Sequence, residues 1–495
     1  MYDLIVLGGG PAGVTAALRA RELGAKVALV ERGQMGGTCT NDGCAPTRAL
    51  AKTARLLRDT KKFSEYGLDG EAPVLNWERV LARTHYVVNA LHEKKQLIGH
   101  LQASGVDTFL GAGDAQFVDA HTVAIAASPL TASPSPSGRG EELQAEKFII
   151  AAGGHGRRLQ IPGIELTLTH SDIWTMKKLP QRVGIVGAAA TGCQLASVLR
   201  QFGAEVVLLD LAPRILPLED ELTSKTMQGE FESSGIRVET GIGGVAHIER
   251  AQNGLHVTYL RDGQEIGLDM DALIMSVGWI GNVEGLNLDA AGIQTQRGYI
   301  AVNDSLQTSA PNIFAAGDIT GRMMLVQSAM SEGFMAAENA LSTAPRGYTH
   351  QLVPHGGFTD PEYGSVGLTE VQAQAQGDYI AASISYAELD RAVIDDATVG
   401  FCKLIASRTT HQILGAHVVG EQALEVTQMV AAAMASNAHV GDLARMEIAY
   451  PTYSAIVGLA ARRIVRDLNL METSSTWSGL GRLTEAEWER TETDV

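Results

Sequence analysis

Two thiols, Cys39 and Cys44, stand five positions apart in TCTNDGCAPTR. A close thiol pair can join and part, and in doing so it gives up or takes on two electrons. On an unbroken helix their Cα atoms would exceed the ~4.4–6.8 Å that a disulfide tolerates. Asn41-Asp42-Gly43 supplies turn chemistry between them. Pro46 suits the first turn of a helix running through Leu56. Cys44 then stands at a helix start, where the dipole and free N–H groups stabilise a thiolate. This favours redox exchange; a chance pair of buried thiols and two metal ligands stay open. A tetrahedral zinc site needs further ligands, and none is spaced nearby.

Two glycine turns could hold phosphates. The apolar run Asp3 to Leu7 leads into Gly8-Gly9-Gly10-Pro11-Ala12-Gly13 and the helical stretch Val14 to Leu23. A second strand, Lys26 to Val30, ends at Glu31. Gly8, Gly10 and Gly13 allow a tight turn, a close approach of pyrophosphate and close helix–strand packing. The helix N-terminus offers N–H groups to phosphate, and Glu31 can accept from a ribose hydroxyl. Val183 to Val186, Gly187-Ala188-Ala189-Ala190-Thr191-Gly192, a helix from Cys193 to Gln201 and a strand ending at Asp210 repeat the pattern. The repeat reads as an internal duplication with a second dinucleotide. Gly187 and Gly192 keep the outer glycines, whereas the methyl of Ala189 crowds the pyrophosphate. Asp210 suits a free 2′-hydroxyl, and no arginine fills the next three positions. NADH is favoured over NADPH, which stays possible.

Strand–turn–helix–strand units place these residues in an α/β chain. At roughly 100–200 residues per domain, 495 residues allow about three domains. With 39 Lys+Arg and 56 Asp+Glu, 39 − 56 gives −17, a poor balance for nucleic acid. The longest nearly uncharged stretch, Val183 to Leu199, is shorter than the ~20 apolar residues of a membrane span. No basic segment precedes the first apolar run, so no signal peptide is expected. Four cysteines are too few for a disulfide scaffold and favour a reducing, cytoplasmic setting. Cys193 and Cys402 read as buried small hydrophobes.

GGTCTNDGCAPTR resembles the redox-active signature of the class I pyridine nucleotide–disulfide oxidoreductases, the family of dihydrolipoamide dehydrogenase, glutathione reductase and mercuric reductase. The resemblance implies FAD in the first site, with Gly37 and Thr38 among its binding residues. It makes Cys44 the thiol nearest the flavin and Cys39 the interchange thiol. Thr308 to Asp318 resembles the family's second FAD motif, with Gly317 and Asp318 on the ribityl or phosphate side. Ile150 to Gly153 and Met275 to Gly278 resemble its two crossover strands, and the stretch from Thr359 onward resembles its dimerisation domain. The expected fold is α/β, with two Rossmann-like dinucleotide-binding domains, for FAD and NAD(P), and an α+β C-terminal dimerisation domain. FAD-binding segments are expected at 1–153 and 276–348, the NAD(P) domain at 154–275, the interface domain of a homodimer at 349–470. A mobile Pro/Ser-rich insert is expected at 128–142. The acidic tail 471–495 carries a capping-box pattern before Trp488; a short helix and a frayed end are equally open.

The chain also departs from these relatives. Disulfide reducers carry His-Pro-Thr-x-x-Glu near the C-terminus, and its histidine serves the partner subunit's interchange thiol. Here Tyr450 takes the place of the histidine and Ala455 that of the glutamate. A phenol of pKa about 10 is a poor base at neutral pH. Tyr453 is expected to pack the dimer interface. Mercuric reductases share the tyrosine but end in a Cys-Cys pair, and no cysteine follows Cys402. Arg48 and Gln194 stand where relatives pair lysine with glutamate beside the flavin; the pair still permits a hydrogen bond but lacks the negative charge. The expected function is an FAD-dependent NAD(P)H oxidoreductase passing electrons through flavin to Cys39–Cys44. The acceptor is a small-molecule or protein disulfide, or a soft metal ion, that needs little help with protons. Two readings compete. One is a diaphorase passing electrons directly to quinones or oxygen, and the other a redox-sensing flavoprotein without turnover.

Overall fold

The computed structural model describes residues 1–111, 113–125, 141–350 and 352–470. The tail 471–495 and the insert up to residue 140 lie outside them. Glu141 and Glu142 are not part of a loop, because they open the strand Glu141–Ile150. The chain forms two compact units, Met1–Tyr363 and Gly364–Val495.

The first unit holds a seven-stranded sheet with a parallel core and a four-stranded parallel sheet. In one, β1 (Tyr2–Leu7) lies between β2 (Val27–Glu31) and the strand Glu141–Ile150, with β3 (Asp107–Leu110) beyond β2. Leu7 pairs with Val30 on one side and Ile150 on the other. Leu4, Ile5 and Val6 are fully buried, which is why β1 reads as an unbroken apolar run rather than an alternating one. Helix α1 (Pro11–Glu22) turns its alanines inward. A Cβ on Gly333 would stand 2.1 Å from the Ala12 carbonyl oxygen, so only glycine lets the helix Val326–Leu341 lie this close to α1. The strand Ile313–Ala315 returns to pair with Glu141–Ile150. The second sheet runs Arg237–Thr240, Glu205–Asp210, Arg182–Val186, Ala272–Met275, all parallel. The two crossovers between the sheets pair antiparallel, Gly154–Gly156 with Trp279–Gly281.

In the second unit Ile413–Gly420, Phe401–Ala406 and Ile380–Ser385 pair antiparallel in that order. The helix Ala455–Asp467 buries Ile456, Val457, Ala460, Ala461, Ile464 and Val465 into its core. Tyr453 belongs to this same core. It stacks on Tyr386 at 5.7 Å and donates to Asp395 at 2.9 Å, so it packs within its own chain. The two compact units divide at 363/364. Thr359 and Asp360 are tied into the first unit, where Arg55 donates to the Thr359 carbonyl at 3.0 Å and Asp360 N–H to Ser197 at 2.9 Å. Among the described residues no helix is long and apolar enough to cross a membrane.

Candidate active site

The first glycine turn follows β1 directly. Gly8 has φ +115°, and a Cβ there would stand 2.3 Å from the Ala151 carbonyl oxygen. A Cβ on Gly13 would stand 1.8 Å from Gly8 O. Both positions are closed by protein. Gly10 differs, since a Cβ would meet only Gly37 Cα, at 3.7 Å. The space beside Gly10 is therefore not closed by protein. No side chain caps α1 and no acid sits in its first turn, so its N–H groups are left for an anion. Glu31 accepts from Gly9 N–H at 2.6 Å and Gly33 N–H at 2.7 Å, which fixes the carboxylate at the end of β2. These residues fit the FAD that the turn calls for.

Past β2 the chain enters helix α2 (Gly37–Asn41), which carries Cys39. The Thr38 carbonyl accepts from Asp42 and Gly43 N–H and ends it. Helix α3 (Cys44–Thr60) then begins at the second thiol, as expected. The loop is braced from two sides. Helix α4 (Trp77–Lys95) sends His92 to Asn41 Oδ1 at 2.7 Å and Lys95 to Thr40 Oγ1 at 2.8 Å. Asp42 accepts from Ser171 at 2.6 Å and Trp174 Nε1 at 2.8 Å, with His170 at 3.3 Å. Burial pushes Asp42 up, but these hydrogen bonds outweigh it and hold its carboxyl below the usual range.

Both cysteines are free thiols here, and each acts on the ionisation of the other. Two adjacent sulfurs do not both ionise easily. Among the chain's own groups the anion falls on Cys39, lowered to about 7. Donation from Cys44 is the main cause; burial opposes it, Lys95 assists and Asp318 opposes. Cys44 is raised, first by that same bond and then by burial. The helix start alone had pointed to Cys44. The start of α3 does favour an anion, but burial and the neighbouring sulfur push Cys44 the other way.

Gly317 (φ +79°) and Asp318 follow the returning strand. Gly317 N–H donates to Glu332 at 2.7 Å, and His350 Nε2 meets the other oxygen of that fully buried carboxylate at 2.8 Å. Asp318 is raised to about 6, by burial and then by Glu332. It acts on both thiols, which places the second FAD motif beside the cysteine loop.

The second glycine turn copies the first. Gly187 has φ +103° with its Cβ position 2.1 Å from Ser276 O, and Gly192 stands against Gly187 O at 1.8 Å. Asp210 accepts from Ala188 N–H, and from Ala212 N–H at 2.7 Å. Ala189 is exposed at the uncapped start of the helix Ala190–Gln201. Gly278, in the returning crossover, has φ +97° and accepts from Arg157 N–H at 2.8 Å.

Arg48 and Gln194 do not bond. Arg48 pairs with buried Glu362 and lies 4.8 Å over the Phe358 ring. Gln194 accepts from Phe358 N–H at 3.1 Å and donates to Ala190 O at 3.0 Å. A carboxylate outcompetes a neutral amide for a guanidinium, and Arg55 joins the same Glu362 oxygen at 2.8 Å. Tyr450, in the second unit, is 76% exposed, and its hydroxyl is raised by a hydrogen bond with Asp390. Cys193 and Cys402 are fully buried, as expected.

Sequence reasoning missed Lys95, Glu332 and Glu362. His92 and Lys95 lie three apart on the last turn of α4, a spacing that puts them on one face and could have drawn attention to it. Glu332 and Glu362 gave no local signal.

A family model described as pyridine nucleotide-disulphide oxidoreductase matches residues 2–333, and the dimerisation domain of that family matches residues 353–461. Dihydrolipoyl dehydrogenase of Bacillus subtilis (strain 168) is 32% identical over 476 residues, covering 93% of this chain and 97% of the relative. Mercuric reductase of Staphylococcus aureus is 30% identical over 476 residues, covering 94% and 83%. The solved structure of the HOCl-induced flavoprotein disulfide reductase RclA from Escherichia coli is similar, with TM-score 0.81 and 25% identity, over 93% of this chain and 99% of that one. A Cu(II) complex of the same protein matches with TM-score 0.81 and 26% identity, over 94% and 99%. The chain belongs to the pyridine nucleotide-disulphide oxidoreductases, enzymes that use FAD to move electrons between NAD(P)H and disulfides.

Proposed function

We propose that this protein is a homodimeric, NADH-dependent reductase of disulfides whose leaving thiols need no protein acid. The thiol pair carries this reading: Cys39 and Cys44 are free thiols on consecutive helices of one short loop, and Cys44 lowers the Cys39 thiol. Tyr450 supports it, being exposed and bonded to a carboxylate, with a phenol raised further above neutral pH. Bound FAD, reduced by NADH, supplies the electron pair. Gly8, Gly10, Gly13, Glu31 and Asp318 hold the FAD, while Gly187, Gly192 and Asp210 hold the nicotinamide coenzyme. Arg214 is the basic residue nearest Asp210 in sequence, and its guanidinium is engaged by the carbonyls of Pro217 and Glu219, both at 2.9 Å. Asp210 would repel a 2′-phosphate, and Arg214 is not held out to receive one. The matching dimerisation domain supports the homodimer, which sedimentation would test.

Anaerobic reduction with NADH, followed by a panel of aromatic and aliphatic disulfides, tests the reading. Aromatic disulfides, with low-pKa leaving thiols, should turn over fastest, and Cys39→Ser should abolish that turnover. Full disulfide turnover by Cys39→Ser would instead support the direct diaphorase route. Absence of bleaching by NADH would support a sensor without turnover. A soft metal ion as acceptor is a second reading, favoured by the likeness to a solved Cu(II) complex. Cu(II)-dependent NADH oxidation that is lost in Cys39→Ser would support it.

A further inference from the structure

Lys95 is the last residue of α4, and its Nζ donates to Thr40 Oγ1 at 2.8 Å. Thr40 is buried and follows Cys39 directly in α2. His92 lies one turn earlier on the same helix face and binds Asn41 at 2.7 Å. The end of α4 therefore grips the two residues after Cys39. We infer that Lys95 is a positioning residue for the interchange thiol, its fixed ammonium holding Cys39 as a thiolate for attack on a disulfide acceptor. The inference rests on Cys39 being the interchange thiol, as proposed above.

The groups acting on Cys39 come from three directions. Cys44 donates from α3, Lys95 attracts from α4, and Asp318 opposes, itself facing Glu332. Among the described residues Lys95 is the cation acting on this sulfur. A nearby ammonium charge favours the anionic form of a thiol.

The exchange then balances without an external acid. The Cys39 thiolate attacks one acceptor sulfur, a Cys39–acceptor S–S bond forms, the acceptor's own S–S bond breaks, and a first thiolate leaves. Cys44 gives that thiolate its proton. The Cys44 thiolate attacks the Cys39 sulfur, the Cys39–Cys44 disulfide forms, and a second thiolate leaves. The acceptor gains two electrons and the protein pair loses two. NADH replaces them through bound FAD.

The test follows alkylation of Cys39 by iodoacetamide in the NADH-reduced holoenzyme, read by mass spectrometry from pH 5 to 9.5. Wild type should reach half its maximal rate near pH 7, where Cys39 ionises. Lys95→Met should move that midpoint up by about one pH unit, at the low end of the shift that a nearby opposite charge produces. Alkylation at pH 7 then falls about fivefold. Lys95→Arg should restore the wild-type profile. A Lys95→Met profile that superimposes on wild type overturns the inference, as does a Lys95→Arg profile shifted as far as Lys95→Met. If Lys95→Met loses its FAD, Thr40→Val keeps the cation and removes its anchor. An upward shift there supports the inference and an unmoved profile overturns it. Should Cys39→Ser keep full disulfide turnover, the reading beneath falls instead. An unmoved profile in a protein that still needs Cys39 removes only the role of Lys95.

Discussion

The two dinucleotide turns share one backbone and differ in their surroundings. Gly8 and Gly187 both hold positive φ and press against a carbonyl of a neighbouring strand end, and Gly13 and Gly192 stand equally close to the turn's first carbonyl. Glu31 and Asp210 each accept from the residue after the first glycine and from the residue two beyond the acid. The middle position separates them. Gly10 (φ −76°, ψ −176°) and Ala189 (φ −81°, ψ −170°) have the same extended backbone, so alanine is not strained. Gly10, however, lies against Gly37 of the loop that leads to the thiols, whereas Ala189 is exposed. The outer glycines serve the fold, and protein does not close the middle position of the first turn. A walled first site would suit a resident FAD, and an open second site a coenzyme that comes and goes.

The largest effects should come from the outer glycines. Gly13→Ala puts a methyl where the Gly8 carbonyl oxygen already stands, at 1.8 Å. A destabilisation of more than about 3 kcal/mol is expected, with a colourless product. Gly192→Ala meets the same obstacle in the second sheet. It should leave the protein yellow while NADH no longer bleaches it. Flavin absorbance before and after NADH reads both, and a Gly13→Ala protein with full FAD would break the equivalence.

The first site also carries Asp318, whose folded pKa of about 6 lies above its ordinary 3.8. A raised acid holds its proton in the folded state after the unfolded chain has released it. Its contribution is complete below about pH 4 and is lost as pH rises through about 6. In the apoprotein, the wild-type melting temperature should fall over that window relative to Asp318→Asn. The difference corresponds to no more than about 3 kcal/mol. Parallel melting curves for the two proteins across the window would refute burial and Glu332 as the causes.

Asp210 should have a moderate effect. Asp210→Ser loses the carboxylate that would face a 2′-phosphate, so the ratio of kcat/KM for NADH over NADPH should fall about tenfold, near 1.4 kcal/mol. An unchanged ratio would mean that coenzyme choice lies elsewhere in the second sheet.

Much of this was legible because it is local. Each glycine turn, its strand and its terminal acid fit within about 25 consecutive residues, and the cysteine loop within six. Such spacing fixes geometry before any tertiary contact. The rest is long-range. Arg48 turned to Glu362, 314 positions away, because a buried carboxylate offers more than the amide of Gln194. Tyr453 found Asp395 in its own chain. Lys95 reaches the redox loop across 55 positions, and no pattern near Cys39 announces it. Thr359 and Asp360 likewise carry bonds back to α3 and to the helix Ala190–Gln201, across some 160 to 300 positions.

The finest test exchanges the middle residues. Ala189→Gly restores the missing clearance at the second turn and should lower KM for NADH a few-fold, on the order of 0.5–1 kcal/mol, with kcat unchanged. The glycine also frees the helix start in the unfolded chain, so a slightly lower melting temperature should accompany the gain. Gly10→Ala runs the opposite way. Its methyl would stand 3.7 Å from Gly37 Cα, ordinary contact for the protein, so the fold should survive. The lost volume belongs to FAD, and its affinity should drop by a larger factor than NADH gains at Ala189→Gly, because α1 and the Gly37 loop leave the dinucleotide little room to shift. FAD release measured by fluorescence on dilution, beside KM for NADH, compares the two turns directly. Equal and opposite changes would show that the second site is walled as closely as the first.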